Sequence, residues 1–343
     1  MRRRGKRGKV NVSDSQNLPP YLKADKQANG GYMPFKRIFS LNDVCIFLYL
    51  FPLRIVSTIL PLKIIRHMGS LLGHTYGSLL MNRRKRIREK LTLIFKDSMT
   101  REEINVLSYQ SMRSAVSAYT DALIANRIGK HDLLKYGSIK GQENVESALS
   151  LKKGVILVSG HFCGDVVASR FLRAIGMPIL FVTKTKSFDP EKSLLENKYL
   201  KPYWSKVFNQ FQEDNIFIED ADFGLKIIKH LRENGLVSIK LDAPFSKHLI
   251  ECSFFGTKYF FPANFLKISF LTGAPIVPML CTGNSASFEI SFERMVELQE
   301  VSNKDEFISV NLNKLVKILE SQILRYPSHW LFIARNSTQI LTN

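Results

Sequence analysis

The run Gly154-Val155-Ile156-Leu157-Val158-Ser159-Gly160-His161-Phe162-Cys163-Gly164-Asp165 sets an unbroken aliphatic segment before a turn of Ser, Gly and His. A short apolar run of this kind reads as a strand buried on both faces. A helical stretch follows from Asp165 to about Ile175, where Gly176 stops it, and Met177-Pro178-Ile179-Leu180-Phe181-Val182 reads as the next strand. Strand, helix and strand in this order make a β-α-β unit, expected to be parallel and right-handed. Further strands are expected at Leu236 to Leu241, Pro275 to Leu280 and Phe288 to Phe292, with helices over about 222–233 and 305–324. The pattern predicts an α/β fold, with a central mixed, mostly parallel sheet flanked by helices.

The turn after the first strand is where a parallel sheet places its chemistry. His161 there suits a general base for an attacking hydroxyl, and a carboxylate on its other ring nitrogen would fix the tautomer. Asp165 lies four residues on, so a helix beginning at or before His161 would put the two on one face. Without further context a capping Asp and a structural His explain the same pattern. Cys163 is read as a small buried residue in preference to a nucleophile.

Upstream, residues 44–62 read VCIFLYLFPLRIVSTILPL, nearly long enough to cross a bilayer but interrupted by Pro52 and Arg54. Arginine near the midpoint is costly in hydrocarbon, and Lys36, Arg37, Lys63 and Arg66 flank both ends. An interfacial or re-entrant hairpin is the favoured reading, ahead of a single crossing and of an ordinary core helix. A second basic cluster, Arg83, Arg84, Lys85, Arg86, Arg88 and Lys90, sits beside Leu79, Leu80, Ile87, Leu91 and Leu93. Helical periodicity gives these an apolar face and a cationic rim, suited to anionic headgroups or simply to solvent.

The whole chain has 343 residues and a formal charge of +19. Six of the first nine residues are basic, so residues 1–36 read as a basic disordered tail. Residues 37–98 are then expected to be an N-terminal membrane-associated helical segment, and 99–343 the domain that carries the candidate catalytic residues. At 45% hydrophobic and 23% charged, the composition excludes a mostly disordered or polytopic membrane chain. The four cysteines lie far apart, which argues against a CxxC site or a disulfide framework. No GxGxxG, GxxxxGK[ST] or HExxH motif occurs, and no nucleic-acid module, so no metal, cofactor or nucleic acid is expected.

The blocks GVILVSGHF, MPILFVTK, FFGTKYFFPANFLKISFLTGAPIVP and YPSHWLFIAR, with RKRIREKLTLIF before them, resemble the lipid A late acyltransferase family of the lysophospholipid acyltransferase superfamily. The resemblance runs from about residue 38 to 335. It implies a glycerolipid-acyltransferase-like fold that transfers a fatty acyl group from acyl carrier protein or CoA to a hydroxyl of a lipid A precursor or related membrane lipid. It further implies work at the cytoplasmic face of the inner membrane, as a peripheral or single-pass protein. The family pairs its His with an acid five residues later, where this chain has Val166, so Asp165 is expected to take that role. The resemblance places the family's arginine on Lys184 and its later strand-end aspartate on Asp242. These two and Gly256 of the FFG block are expected to bind substrate. Oxyanion stabilisation is expected from Lys184 and backbone N–H groups near Gly160 or Gly164. The aromatic run Phe254, Phe255, Tyr259, Phe260, Phe261 and Phe265 reads as core packing or an acyl tunnel. Acidic carrier protein and anionic lipid would both be drawn to a basic surface. Val166 keeps one alternative open, a catalytically inactive membrane-bound protein that binds lipid or acyl carrier protein.

Overall fold

The computed structural model describes residues 41–183, 195–210, 215–218, 220–243, 249–301 and 303–334. The basic tail and Lys184 lie outside the described residues. The chain begins with α1 (Leu41–Leu48), which passes through a π turn containing Pro52 into α2 (Arg54–Ile59). Proline lacks the N–H that an α-helical ladder needs at that point, and the π turn absorbs the defect without reversing the chain. The break falls instead at Leu60 and Pro61, before α3 (Leu62–Leu79) and the basic α4 (Met81–Phe95). The stretch expected to be an interfacial or re-entrant hairpin is therefore one kinked helix up to Ile59. Among the described residues no helix is long and apolar enough to cross a membrane.

A Thr100–Glu103 capping box starts α5 (Arg101–Ile124), the longest helix described. It is followed by α6 (Lys130–Tyr136), β1 (Gly137–Lys140), α7 (Gln142–Ser150), β2 (Val155–Ser159), α8 (Asp165–Ala174) and β3 (Ile179–Thr183). Next come α9 (Lys201–Gln210), β4 (Asn215–Phe217), α10 (Phe223–Arg232) and β5 (Leu236–Lys240). The hairpin β6 (Leu249–Phe254) and β7 (Thr257–Pro262) leads to α11 (Asn264–Thr272), β8 (Ile276–Asn284), β9 (Ser287–Phe292) and α12 (Lys304–Arg325).

The main sheet has seven strands in the order β1-β9-β8-β2-β5-β3-β4. The five from β8 to β4 are parallel, and β8 meets β9 antiparallel, so the sheet is mixed and mostly parallel as expected. β2 and β3 are not neighbours, because β5 pairs with both and sits between them. Alternation along β2 explains the two cores. Ile156 and Val158 join α4, α10 and α12 on one face, while Val155 and Leu157 join α7 and α8 on the other. A fully buried aliphatic side chain contributes roughly 1.5–3 kcal/mol, which is why so apolar a run holds the centre of the sheet.

Candidate active site

Ser159 and Lys240 are register partners that end β2 and β5. Two residues past each lie His161 and Asp242, so adjacent parallel strands deliver the pair side by side at the carboxyl edge of the sheet. His161 Nδ1 lies 2.6 Å from Asp242 Oδ1, and the His161 backbone N–H donates to Asp242 Oδ2 at 2.8 Å. Trp330 Nε1 donates to the same Oδ2 at 2.9 Å, and the Tyr259 hydroxyl donates to the Asp242 carbonyl at 3.1 Å. Asp242 is 1% exposed. Burial on its own would raise its pKa, but the His161 charge, the two His161 hydrogen bonds and Trp330 outweigh it and hold the carboxyl at about 2. An ionised acceptor there makes Nδ1 the protonated nitrogen of neutral His161 and leaves the lone pair on Nε2. The His161 side chain is 20% exposed, and its Nε2 makes no hydrogen bond among the described residues.

The turn is held from outside by a strap over residues 326–334. Phe162 and Trp330 form an isolated antiparallel bridge, with Cys163 N–H on the His329 carbonyl and Leu331 N–H on the His161 carbonyl. The His161 ring lies 5.1 Å from Phe332 between centroids. Gly160 leaves no room for a side chain, since a Cβ there would lie 2.9 Å from both Leu319 and Phe162. At Gly164 the backbone of Thr282 on β8 stands 3.0 Å from where a Cβ would be, so α8 can start hard against the strand.

This arrangement corrects the expected dyad. Asp165 does not bond His161, because the helix begins at Asp165 itself and His161 lies in the turn before it, outside any i,i+4 spacing. The Asp165 carboxylate instead takes Lys240 Nζ at 2.7 Å. Asp242, expected to meet substrate, has both oxygens engaged by His161 and Trp330 and serves His161 instead. Gly256 is brought to neither. Phe255 and Gly256 both have positive φ, 50° and 77°, and form the two-residue turn of the β6–β7 hairpin. That turn docks through Phe255 N–H on Glu320, 2.6 Å away, beside Lys96. Val166, at the position of the family acid, is buried with Ala122 and Ala125. Of the aromatic run, Phe254, Tyr259, Phe261 and Phe265 are core, and Phe254 reaches Trp330 at 5.9 Å.

Sequence reasoning missed Trp330 and Tyr259 as partners of Asp242, and Lys240 altogether. The available signal was an equal offset, since the runs VILVS and LVSIK each carry a chemical residue two positions past their ends. Cys163 donates its thiol to the Gly283 carbonyl at 3.0 Å, and burial, with the Asp121 charge next, pushes its pKa up to about 12. It stays a thiol at neutral pH, which disfavours nucleophilic attack. Among the described residues no group of His, Cys, Asp and Glu is placed to hold a metal ion.

The site thus sets a buried carboxylate against a partly exposed histidine at the carboxyl edge of a parallel sheet, an arrangement chemically able to accept a proton. The family model of bacterial lipid A biosynthesis acyltransferases matches residues 33–337, so the chain belongs to that family. Membership implies an acyltransferase. Comparison with curated proteins gives no match.

Proposed function

We propose that the chain is a membrane-surface O-acyltransferase in which His161 is the general base. His161 Nε2 takes the proton of a hydroxyl on a lipid A precursor or related membrane lipid as that oxygen attacks the carbonyl of an acyl thioester. The C–O bond forms, the tetrahedral intermediate collapses with loss of the C–S bond, and the imidazolium returns its proton to the thiolate. Asp242 stabilises the imidazolium while it exists. A backbone N–H near Gly164, at the start of α8, is assigned to the developing oxyanion, aided by the positive end of the helix. Lys184, onto which the resemblance places the family's arginine, keeps the oxyanion role expected of it. Acyl carrier protein or CoA carries the acyl group, and the cytoplasmic face of the inner membrane is the assigned location.

One observation carries the reading: the Asp242 contact occupies Nδ1 and leaves Nε2 as the basic nitrogen of a partly exposed ring. Membrane association draws support from α1 and α2. Ile46, Leu50 and Ser57 face inward there, while Phe47, Phe51, Ile55 and Ile59 are 42–75% exposed. Arg54 stands over the Tyr203 ring, 5.0 Å from its centroid. Part of the α4 rim is committed inside the protein, with Arg84 on Asn105 at 2.6 Å, so the exposed Lys85 and Arg86 are the ones assigned to headgroups.

The test incubates membranes carrying wild type or His161→Ala with labelled acyl carrier protein thioester or acyl-CoA, followed by mass spectrometry of the lipids. An acylated lipid made by wild type and lost in the variant is the expected result. Transfer surviving in His161→Ala removes the general-base role and favours a binding protein.

A further inference from the structure

Asp165 and Lys240 are displaced from the role expected of an acid beside the histidine, and their geometry gives them another. The Lys240 ammonium has three N–H bonds and three acceptors, Ser159 Oγ at 2.9 Å, the Gly160 carbonyl at 2.9 Å and Asp165 Oδ1 at 2.7 Å. With every donor used, it has none left for a substrate. Both side chains are largely buried, at 17% and 19% exposure, so the contacts are better shielded from competing water than a surface pair.

What the ammonium holds is the peptide unit that carries the histidine. The Gly160 carbonyl and the His161 N–H belong to one trans peptide group and point to opposite sides of it. Lys240 takes the carbonyl and Asp242 Oδ2 takes the N–H, so two residues at the end of β5 grip that plane from both sides. Rotation of the plane would break one bond or the other and swing the His161 ring off Asp242 Oδ1. Asp165 anchors the ammonium from the first residue of α8, tying the exit of the turn to its entry.

We propose that Lys240 and Asp165 form a positioning pair for His161, holding the Gly160–His161 peptide plane and presenting a balanced charge to the imidazole. The proposal rests on the reading of His161 as general base. Among the described residues the charged or titratable groups around the turn are Asp242 just past β5, Cys163 and Asp165 from the turn and α8, Lys240 from β5, Cys281 from β8, His329 from the strap and Asp121 from α5. Balance has a signed consequence. Lys240→Met leaves the Asp165 anion and favours imidazolium, whereas Asp165→Asn leaves the ammonium and disfavours it.

The experiment measures pH profiles of kcat/KM on the full chain for wild type, Lys240→Met, Asp165→Asn and the double variant. The His161 ring is titrated in parallel by NMR, with its resonance assigned by its loss in His161→Ala. Lys240→Met should lower kcat on the order of tenfold with KM nearly constant. It should also move the His161 resonance titration upward, with Asp165→Asn moving it the other way and the double variant returning toward wild type. Midpoints unmoved, or moved the same way in both single variants, would overturn the pair as a charge-balanced positioning device. Loss of thermal stability alone would assign it to structure only. Signed NMR shifts in a protein inactive with every donor, or one active without His161, would uphold the pair and reject the general base, so the two failures are distinguishable. If Lys240→Met does not fold, the milder Asp165→Asn carries the same test through its downward shift.

Discussion

Asp242 spends both carboxylate oxygens on one task, receiving the ring and backbone of His161 and the indole of Trp330. All three are donors, so an amide in its place must turn its NH2 group toward at least one of them. Asp242→Asn should therefore lower kcat on the order of 10²–10³-fold with KM little changed, measured by steady-state acyl transfer. The depressed pKa also fixes the sign of its pH effect on stability. Because the folded value lies below that of an unfolded carboxylate, its contribution is full above about pH 4 and is lost as pH falls toward about 2. The residue types at this scale were readable. His161 stood out by its place after a strand, whereas its partner was misassigned because sequence proximity favoured Asp165. Asp242 lies 81 positions away, and only strand pairing closes that distance.

At the scale of elements, the apolar segment near the N-terminus shows how one stretch serves two surfaces. Its inward face is fixed by the Tyr49 hydroxyl on the Tyr119 carbonyl at 2.8 Å and by ring contacts with Tyr203. Its outward face presents Ile55 and Ile59 one turn apart, at 61% and 75% exposure. Ile55→Ser/Ile59→Ser should weaken binding to anionic vesicles by roughly tenfold in a sedimentation assay while leaving the melting temperature unchanged. Retained binding in that variant would remove these residues from the membrane contact. The strong aliphatic strands β2, β3, β5, β8 and β9 were all anticipated, because an unbroken or alternating β-branched run has few other uses. β1 and β4, four and three residues long, carry too little pattern to be seen. The β6–β7 hairpin was read only as an aromatic run, since its turn is Phe255-Gly256 rather than Asn-Gly.

Across the whole molecule, Asp121 joins the N-terminal helices to the sheet. From α5 it accepts the Ser285 N–H at 3.1 Å with each oxygen, and Arg66 of α3 reaches the Ser285 hydroxyl at 3.1 Å. Burial raises Asp121 to about 7 despite the Ser285 hydrogen bonds and the Arg66 charge. A carboxyl raised above its unfolded value contributes stability that is present below about pH 4 and is lost as pH rises through about 7. Asp121→Asn keeps an acceptor for Ser285 without the buried charge. Calorimetry should find it melting a few degrees above wild type at pH 8, with the gap closing near pH 4.5. A gap of the same size at both pH values would show that the joint does not depend on ionisation.

Composition, periodicity and the order of elements were enough to determine an α/β chain with a histidine turn after its central strand. Those properties are local: a buried strand needs β-branched side chains, and a turn needs glycine, wherever the neighbours lie. The tertiary structure alone decided which carboxylate serves the histidine, that Lys240 holds the intervening peptide, and that Trp330 closes the site from the far end of the chain. These depend on β2 and β5 meeting in register with Ser159 opposite Lys240. Register is set by packing both faces of the sheet at once, a condition that no single segment of the sequence contains.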